Sequence, residues 1–188
     1  MLWLRVLLCL MAGTLSLTFE KVQAQASATK EYQVKAAFLY NFAQFVEWPS
    51  NTFANAEAAF GIGILGDDPF GKALDETVRG ESIQNHRLII QRSQRIEDLQ
   101  ACQIIFISKS EKGRVAEILS KLGARKILTV SELQGFASRG GVINFYLEGN
   151  KVRFEINPAT AQREGLKISS QLLNLGKIIE PAPRKEEN

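Results

Sequence analysis

Gly61-Ile62-Gly63-Ile64-Leu65-Gly66 matches the spacing G-x-G-x-x-G, and Gly66-Asp67-Asp68-Pro69-Phe70-Gly71-Lys72 matches G-x-x-x-x-G-K. Both spacings can cradle a phosphate, provided the glycines sit in the turn between a strand and a helix. The first fails that test, because Ile62, Ile64 and Leu65 read as the strand itself. The second is better placed but carries the wrong chemistry. Ala73 stands where a Ser or Thr would hold Mg²⁺. Asp67 and Asp68 put negative charge where phosphate would rest, and Pro69 lacks one of the N–H groups needed. Asp67 and Asp68 also resemble the acidic pair of a phosphorylated receiver domain. Such a domain needs an aspartate at the end of its third strand, where Ser108 and Lys109 stand.

The remaining reactive residues are few. His86 is the single histidine. With no acidic cluster at ligand spacing it makes a poor metal site, and a polar strand-edge residue is its simplest reading. Of the two cysteines, Cys9 lies in the leader and Cys102 opens an apolar run. A buried strand thiol is its plain reading, and an intermolecular disulfide is the sharper one. No nucleophile–base pair emerges. The chain is expected to be no enzyme, with no catalytic residue, no metal and no cofactor.

The elements that must position these residues follow from periodicity. Val34, Phe38, Phe42 and Phe45 recur at helical spacing, widened by Leu39 and Val46, so Tyr32–Val46 reads as a helix stopped at Trp48-Pro49. From Phe60 strands and helices alternate. Strands are expected at Phe60–Leu65, Arg87–Gln91, Gln103–Ser108, Lys126–Val130, Val142–Leu147 and Lys151–Ile156, the last two joined by a hairpin at Glu148-Gly149-Asn150. Helices are expected at Pro69–Val78, capped by Asp68, at Lys112–Leu122, after Ser131, and from Pro158 to about Ile178, capped by Asn157 and interrupted at Gly165. The fold class is therefore α/β. It is a single three-layer domain with a largely parallel sheet of about six strands, a C-terminal antiparallel hairpin and helices on both faces. Ligands of open α/β sheets sit at the carboxyl ends of strands. Asp67, Asp68, Ser108, Lys109, Ser131 and Glu132 gather there and are the candidate ligand or partner contacts.

The first residues give an address. Arg5 precedes an apolar run from Val6 to Leu17, and Ala24-Gln25-Ala26 supplies the small-x-small pattern of a signal peptidase site, with cleavage before Ser27. The run falls short of the roughly 20 residues that span a bilayer. An uncleaved anchor is the alternative. Leu8 before Cys9 speaks against lipidation. Residues 1–26 are read as a signal peptide, 27–180 as the domain and 181–188 as a disordered tail. The mature chain is expected to work outside the cytoplasm, where ATP, GTP and dinucleotides are scarce. A net charge of +3 over 188 residues argues against nucleic acid as a partner.

Val34-Lys35-Ala36-Ala37-Phe38-Leu39-Tyr40-Asn41-Phe42 with Phe45-Val46-Glu47-Trp48-Pro49 resembles the opening signature of the YfiR-like family of periplasmic proteins. Gly66-Asp67-Asp68-Pro69-Phe70-Gly71, Ile105–Ser108, Ile127–Ser131, Gly140–Phe145, Val152–Asn157 and Gly165–Ser170 with Leu172-Leu173 agree in order. The resemblance implies a small α/β fold, a periplasmic address and often a dimer. It implies a regulator that binds the periplasmic portion of an inner-membrane signalling protein, a diguanylate cyclase or another sensor such as a sensor kinase. Repression of the cyclase would restrain cyclic di-GMP, exopolysaccharide and biofilm. It brings no catalytic residues. The type repressor of the family is tuned by intrachain disulfides, which a chain left with Cys102 alone cannot form. Partner contact would use part of the Phe38–Trp48 helix and Leu166–Leu175. A small-ligand receptor using the crevice near Asp67 and Ser108 is the competing reading.

Overall fold

Apolar residues three and four apart make the first helix, but the buried stripe is turned about one residue from the predicted one. In the computed structural model, which describes residues 28–49, 51–53, 55–123 and 125–180, helix α1 covers 28–45. Lys35, Ala36, Leu39, Phe42 and Ala43 are buried, whereas Val34 is exposed. The rotation follows from Lys35, whose ammonium group faces inward to an acidic partner. The predicted signal peptide and tail lie outside the described residues.

After α1 come β1 (Val46–Glu47), β2 (Phe60–Leu65), α2 (Lys72–Val78), β3 (Ser82–Ile83), β4 (His86–Ser93), β5 (Ile104–Ile107), α3 (Val115–Leu122) and β6 (Leu128–Ser131). Then follow β7 (Ile143–Glu148), β8 (Lys151–Ile156), α4 (Pro158–Arg163), β9 (Lys167–Ile168), α5 (Ser170–Leu175) and β10 (Lys177–Ile178). The main sheet has eight strands in the order β10-β8-β7-β6-β5-β2-β4-β3. Its five central strands, β4, β2, β5, β6 and β7, are parallel. Their order is the doubly wound one in which the chain direction of winding switches between β2 and β5. The two-residue edge strands β3 and β10 raise the count from the six read in sequence to eight. They are too short to leave a periodic signal. β1 and β9 form a separate antiparallel pair.

Alternation along the strands feeds two cores. Ile62, Ile64, Ile104, Phe106, Leu128 and Val130 face α1, α2, α4 and α5. Leu65, Ile105 and Ile107 face the other way, onto Ile96 and Leu99 and onto Val115, Ile118 and Leu122 of α3. Each such side chain contributes about 1.5–3 kcal/mol on burial. Phe42 stacks on Phe145 at 5.6 Å and meets Phe154 edge-on at 5.2 Å, which fastens α1 to the β7–β8 hairpin.

The glycine pattern of β2 is a packing device. A Cβ on Gly61 would stand 3.0 Å from the Cys102 Sγ, and one on Gly63 would stand 3.2 Å from it. Cys102 is buried, and burial pushes its thiol up to about 12. It is a core side chain pressed against glycines, with no exposed sulfur to offer a second chain.

Three local expectations are corrected. Asp68 does not cap a helix at Pro69, because α2 begins at Lys72. Its Oδ1 instead accepts the Phe70 N–H at 2.8 Å in a tight turn. Ser131 starts no helix. Its hydroxyl donates to the Ile107 carbonyl at 2.7 Å and accepts the Leu133 N–H, and only Ala137–Arg139 forms a 3₁₀ turn. Asn157 does cap α4, accepting the Thr160 N–H at 2.9 Å. The final helical region, however, is two short helices, because Gly165 takes φ +73° and β9 intervenes to pair with β1.

Candidate functional site

The structure divides the six predicted contact residues into two groups. The first lies at the switch between β2 and β5. Gly66 turns the chain with φ +87°, and a Cβ there would meet the Ser110 Oγ at 2.2 Å and the Glu111 Oε1 at 2.8 Å. The crevice is filled by these side chains. The Ser110 hydroxyl accepts the Asp67 N–H at 3.0 Å, and the buried Ser108 Oγ accepts the Ser110 N–H at 3.4 Å. The Asp68 Oδ2 receives the Arg92 Nε at 2.7 Å, and the Arg92 fork also reaches Asp75 at 2.7 Å. Burial works against the Arg92 charge, but Asp75 and Asp68 outweigh it and raise its pKa. These residues tie the ends of β2 and β4 to α2.

The second group stands beyond β6. The Glu132 side chain is only 5% exposed and the Lys35 side chain 2%. The Lys35 ammonium is shared between Glu132 and Glu31, one turn earlier on α1. It also lies 4.6 Å from the centre of the Tyr32 ring. The Tyr32 hydroxyl donates to the Glu132 Oε1 at 2.9 Å, and the Lys109 Nζ approaches the same carboxylate at 3.4 Å. Burial alone would raise the Glu132 pKa. The hydrogen bond and charge of Lys35, then Tyr32 and Lys109, outweigh it and hold the carboxyl below its ordinary value of 4.5. Burial first, then the charge and hydrogen bond of Glu132, push the Tyr32 phenol well up, so it stays a proton donor. Ser131, fully buried, supports the backbone before Glu132.

Around this pair opens a cleft of about 440 Å³, lined by Glu31, Lys35, Lys109, Glu132, Asn144 and Glu155 among others, with Lys177 at its rim. Sequence reasoning reached Lys109 and Glu132 and missed Tyr32, Lys35, Asn144 and Glu155. The Glu31–Lys35 spacing of four was the available signal for a charged helix face, but it says nothing of burial. One ring contact lies between the two groups. Tyr32 packs edge-on against Phe70 at 5.6 Å, in the turn that Asp68 holds.

His86 opens β4, with its Nδ1 2.6 Å from the Ala58 carbonyl and its ring stacked on Phe53. Among the described residues no group of three His, Cys, Asp or Glu side chains is placed to hold a metal ion. No helix among them is long and apolar enough to cross a membrane.

The strand order, the filled switch point and the charged cleft at α1 define a doubly wound α/β domain whose Lys35 and Glu132 are committed to one another. The chain belongs to the YfiR/HmsC-like family, DUF4154, whose sequence model matches residues 32–177. The family is one of periplasmic regulators of diguanylate cyclase signalling rather than of enzymes. No curated protein matches the chain. Several solved structures resemble it, two of them as follows. A conserved domain protein from Vibrio cholerae O1 biovar El Tor has TM-score 0.48 and 10% identity, over 63% of this chain and 54% of that one. The ABC domain in complex with L-Trp from Streptococcus pneumonia has TM-score 0.47 and 12% identity, over 64% and 55%. The chain thus spans about half the length of each, and both likenesses are too distant to bear on function.

Proposed function

We propose that residues 27–188, released from a cleaved signal peptide at 1–26, bind the periplasmic sensor portion of an inner-membrane diguanylate cyclase and hold it inactive. Cyclic di-GMP would then be restrained, and with it biofilm formation. The observation that carries this reading is the family match across residues 32–177. The fold supports it. Its buried Lys35 and Glu132 satisfy one another, while Val34, Leu147, Leu175 and Ile178 leave apolar surface exposed, the kind of surface that marks protein contacts where it is contiguous. Repression proceeds by occupancy, so the sensor stays in its silent state while the complex lasts. With Cys102 buried, release needs a signal other than oxidation of that thiol.

Deletion of the gene in its host, with a plasmid copy as control, tests the reading. Cellular cyclic di-GMP should rise and return with the plasmid. An unchanged level, together with no signalling receptor recovered from membrane extract by the mature protein, would overturn it. Light scattering on the purified protein checks the homodimer that the family implies.

A further inference from the structure

The β7–β8 hairpin outruns the sheet that carries it. β7 pairs with β6 only at Ile143 and Asn144, although β7 continues to Glu148 alongside β8. Among the described residues no strand runs beside β7 past Asn144. The Asn157 N–H donates to the Val142 carbonyl, and the Ile179 N–H to the Ile156 carbonyl. Antiparallel pairs alternate. Glu148–Lys151 and Tyr146–Arg153 are therefore the hydrogen-bonded pairs, and Leu147 turns its N–H and C=O outward, to the open side. That side is the cleft described above, with Phe145, Tyr146 and Leu147 in its wall. The Leu147 side chain is 51% exposed. On the α1 side it also borders a second cleft of about 460 Å³, with Val34, Phe38 and Val152.

The charges around this edge are layered. The carboxylates of Glu132 and Glu155 lie low, while the ammonium groups of Lys109 and Lys177 stand out, 63% and 62% exposed. Both ammonium groups stand near the level of Asn144, where the open stretch of β7 begins, and the apolar wall of Phe145 and Leu147 follows.

We propose that the open edge of β7 receives an extended, acidic segment of the partner as an added strand, with its backbone on Leu147 and its carboxylates on Lys109 and Lys177. This rests on the partner-binding reading above and names its surface. Strand addition draws affinity from main-chain hydrogen bonds and selectivity from the alternate side chains. Exposed edges are normally blunted by short strands, charge or cover; here the cleft's carboxylates are the more buried charges and Lys109 and Lys177 the more exposed ones, while Glu148 at the hairpin end is held by Arg153.

The probe is a fluorescent eight-residue peptide alternating Glu with Val or Thr, compared with its Lys counterpart, on the mature protein. The acidic peptide should bind, the basic one should bind at least about tenfold more weakly, and the Leu147 amide should exchange more slowly when the acidic peptide is present. Lys109→Glu with Lys177→Glu should weaken the acidic peptide about tenfold, less so in high salt, without touching the backbone edge. Leu147→Pro, which removes the N–H, should weaken it as much. Equal binding of the two peptides, or unchanged exchange at Leu147, overturns the proposal. So does tighter peptide binding by a chain ending at Glu180, which would make the chain's own tail the occupant. A sensor ectodomain that binds wild type and both variants alike sinks the edge assignment and leaves the regulatory reading intact. If no ectodomain binds while the peptide still protects Leu147, the regulatory reading fails and the edge stands.

Discussion

The turn after β2 and the cleft after β6 both lie at carboxyl ends of parallel strands, two positions apart in one sheet, and both gather charge. They differ in where the charge sits. At the β2 turn the ion pairs are outside: Arg92 is 35% exposed and reaches Asp68 and Asp75 over the surface, while uncharged Ser108 and Ser110 help fill the crevice. At the β6 cleft the pair is inside, Lys35 against Glu132, with Tyr32 closing one side and Lys109 the other. A strand-end rule locates both places but does not distinguish them. Burial does, because a charge removed from water binds its partner far more tightly than one in solvent, at the cost of desolvation.

The largest expected effect follows from that cost. Lys35→Met or Glu132→Leu alone strands a buried charge and should destabilise the domain by about 3–5 kcal/mol, read as a drop in the urea midpoint. Glu31 still partners Lys35, so the Glu132 change should fall at the lower end. The double variant Lys35→Met with Glu132→Leu should recover most of that loss. A double variant as unstable as the sum of the singles would show that the two act independently, and the contrast between the regions would collapse.

A smaller effect is pH-dependent. The folded Glu132 carboxyl titrates below 4.5, lower than in the unfolded chain. Its contribution is present in full above the unfolded value and is lost as pH falls through the folded one. Stability of the wild type should therefore decline below about pH 4.5, and Glu132→Gln should flatten that acid limb while lowering stability at neutral pH. Parallel acid limbs in urea titrations of the two proteins would assign the acid sensitivity to other carboxylates.

Much of this architecture was legible because strong periodicity survives in short segments. Phe60–Leu65 and the Ile104–Ile107 centre of Gln103–Ser108 are apolar throughout, as strands covered on both faces must be. The failure at Phe60–Gly66 to meet the nucleotide motif was legible too, and Cys102 against Gly61 supplies the reason the glycines are there. The rest depended on tertiary contact. A lysine in a helix repeat reads as solvated, and only the inward turn of α1 puts Lys35 on Glu132, 97 residues away. β9 and β10 carry two residues each and exist because β1 and β8 are beside them. Asn144 and Glu155 read as ordinary strand residues until the hairpin register sets them opposite one another, with the Asn144 Nδ2 donating to the Glu155 Oε2 at 3.2 Å.

The smallest effect belongs to the β2 turn. Arg92 makes a bidentate contact with Asp75, a single one with Asp68 and one with the Gly71 carbonyl at 3.2 Å, which by count alone rivals the Lys35 network. Exposure decides against it. An ion pair in contact with solvent is screened and costs side-chain freedom to hold, so Arg92→Met should lower stability by about 0.5–1 kcal/mol, and by less in half-molar salt. Asp68→Ala should cost somewhat more than Arg92→Met, because it also orphans the Phe70 N–H that its Oδ1 accepts. Phe70 supports Tyr32, and Tyr32 holds Glu132. Loosening the turn should therefore reach the cleft as a slightly weaker acid limb in the Asp68 variant, with none in the Arg92 variant. If Arg92→Met instead matches the loss from Glu132→Leu, then the number of contacts rather than their burial sets the strength of these two regions.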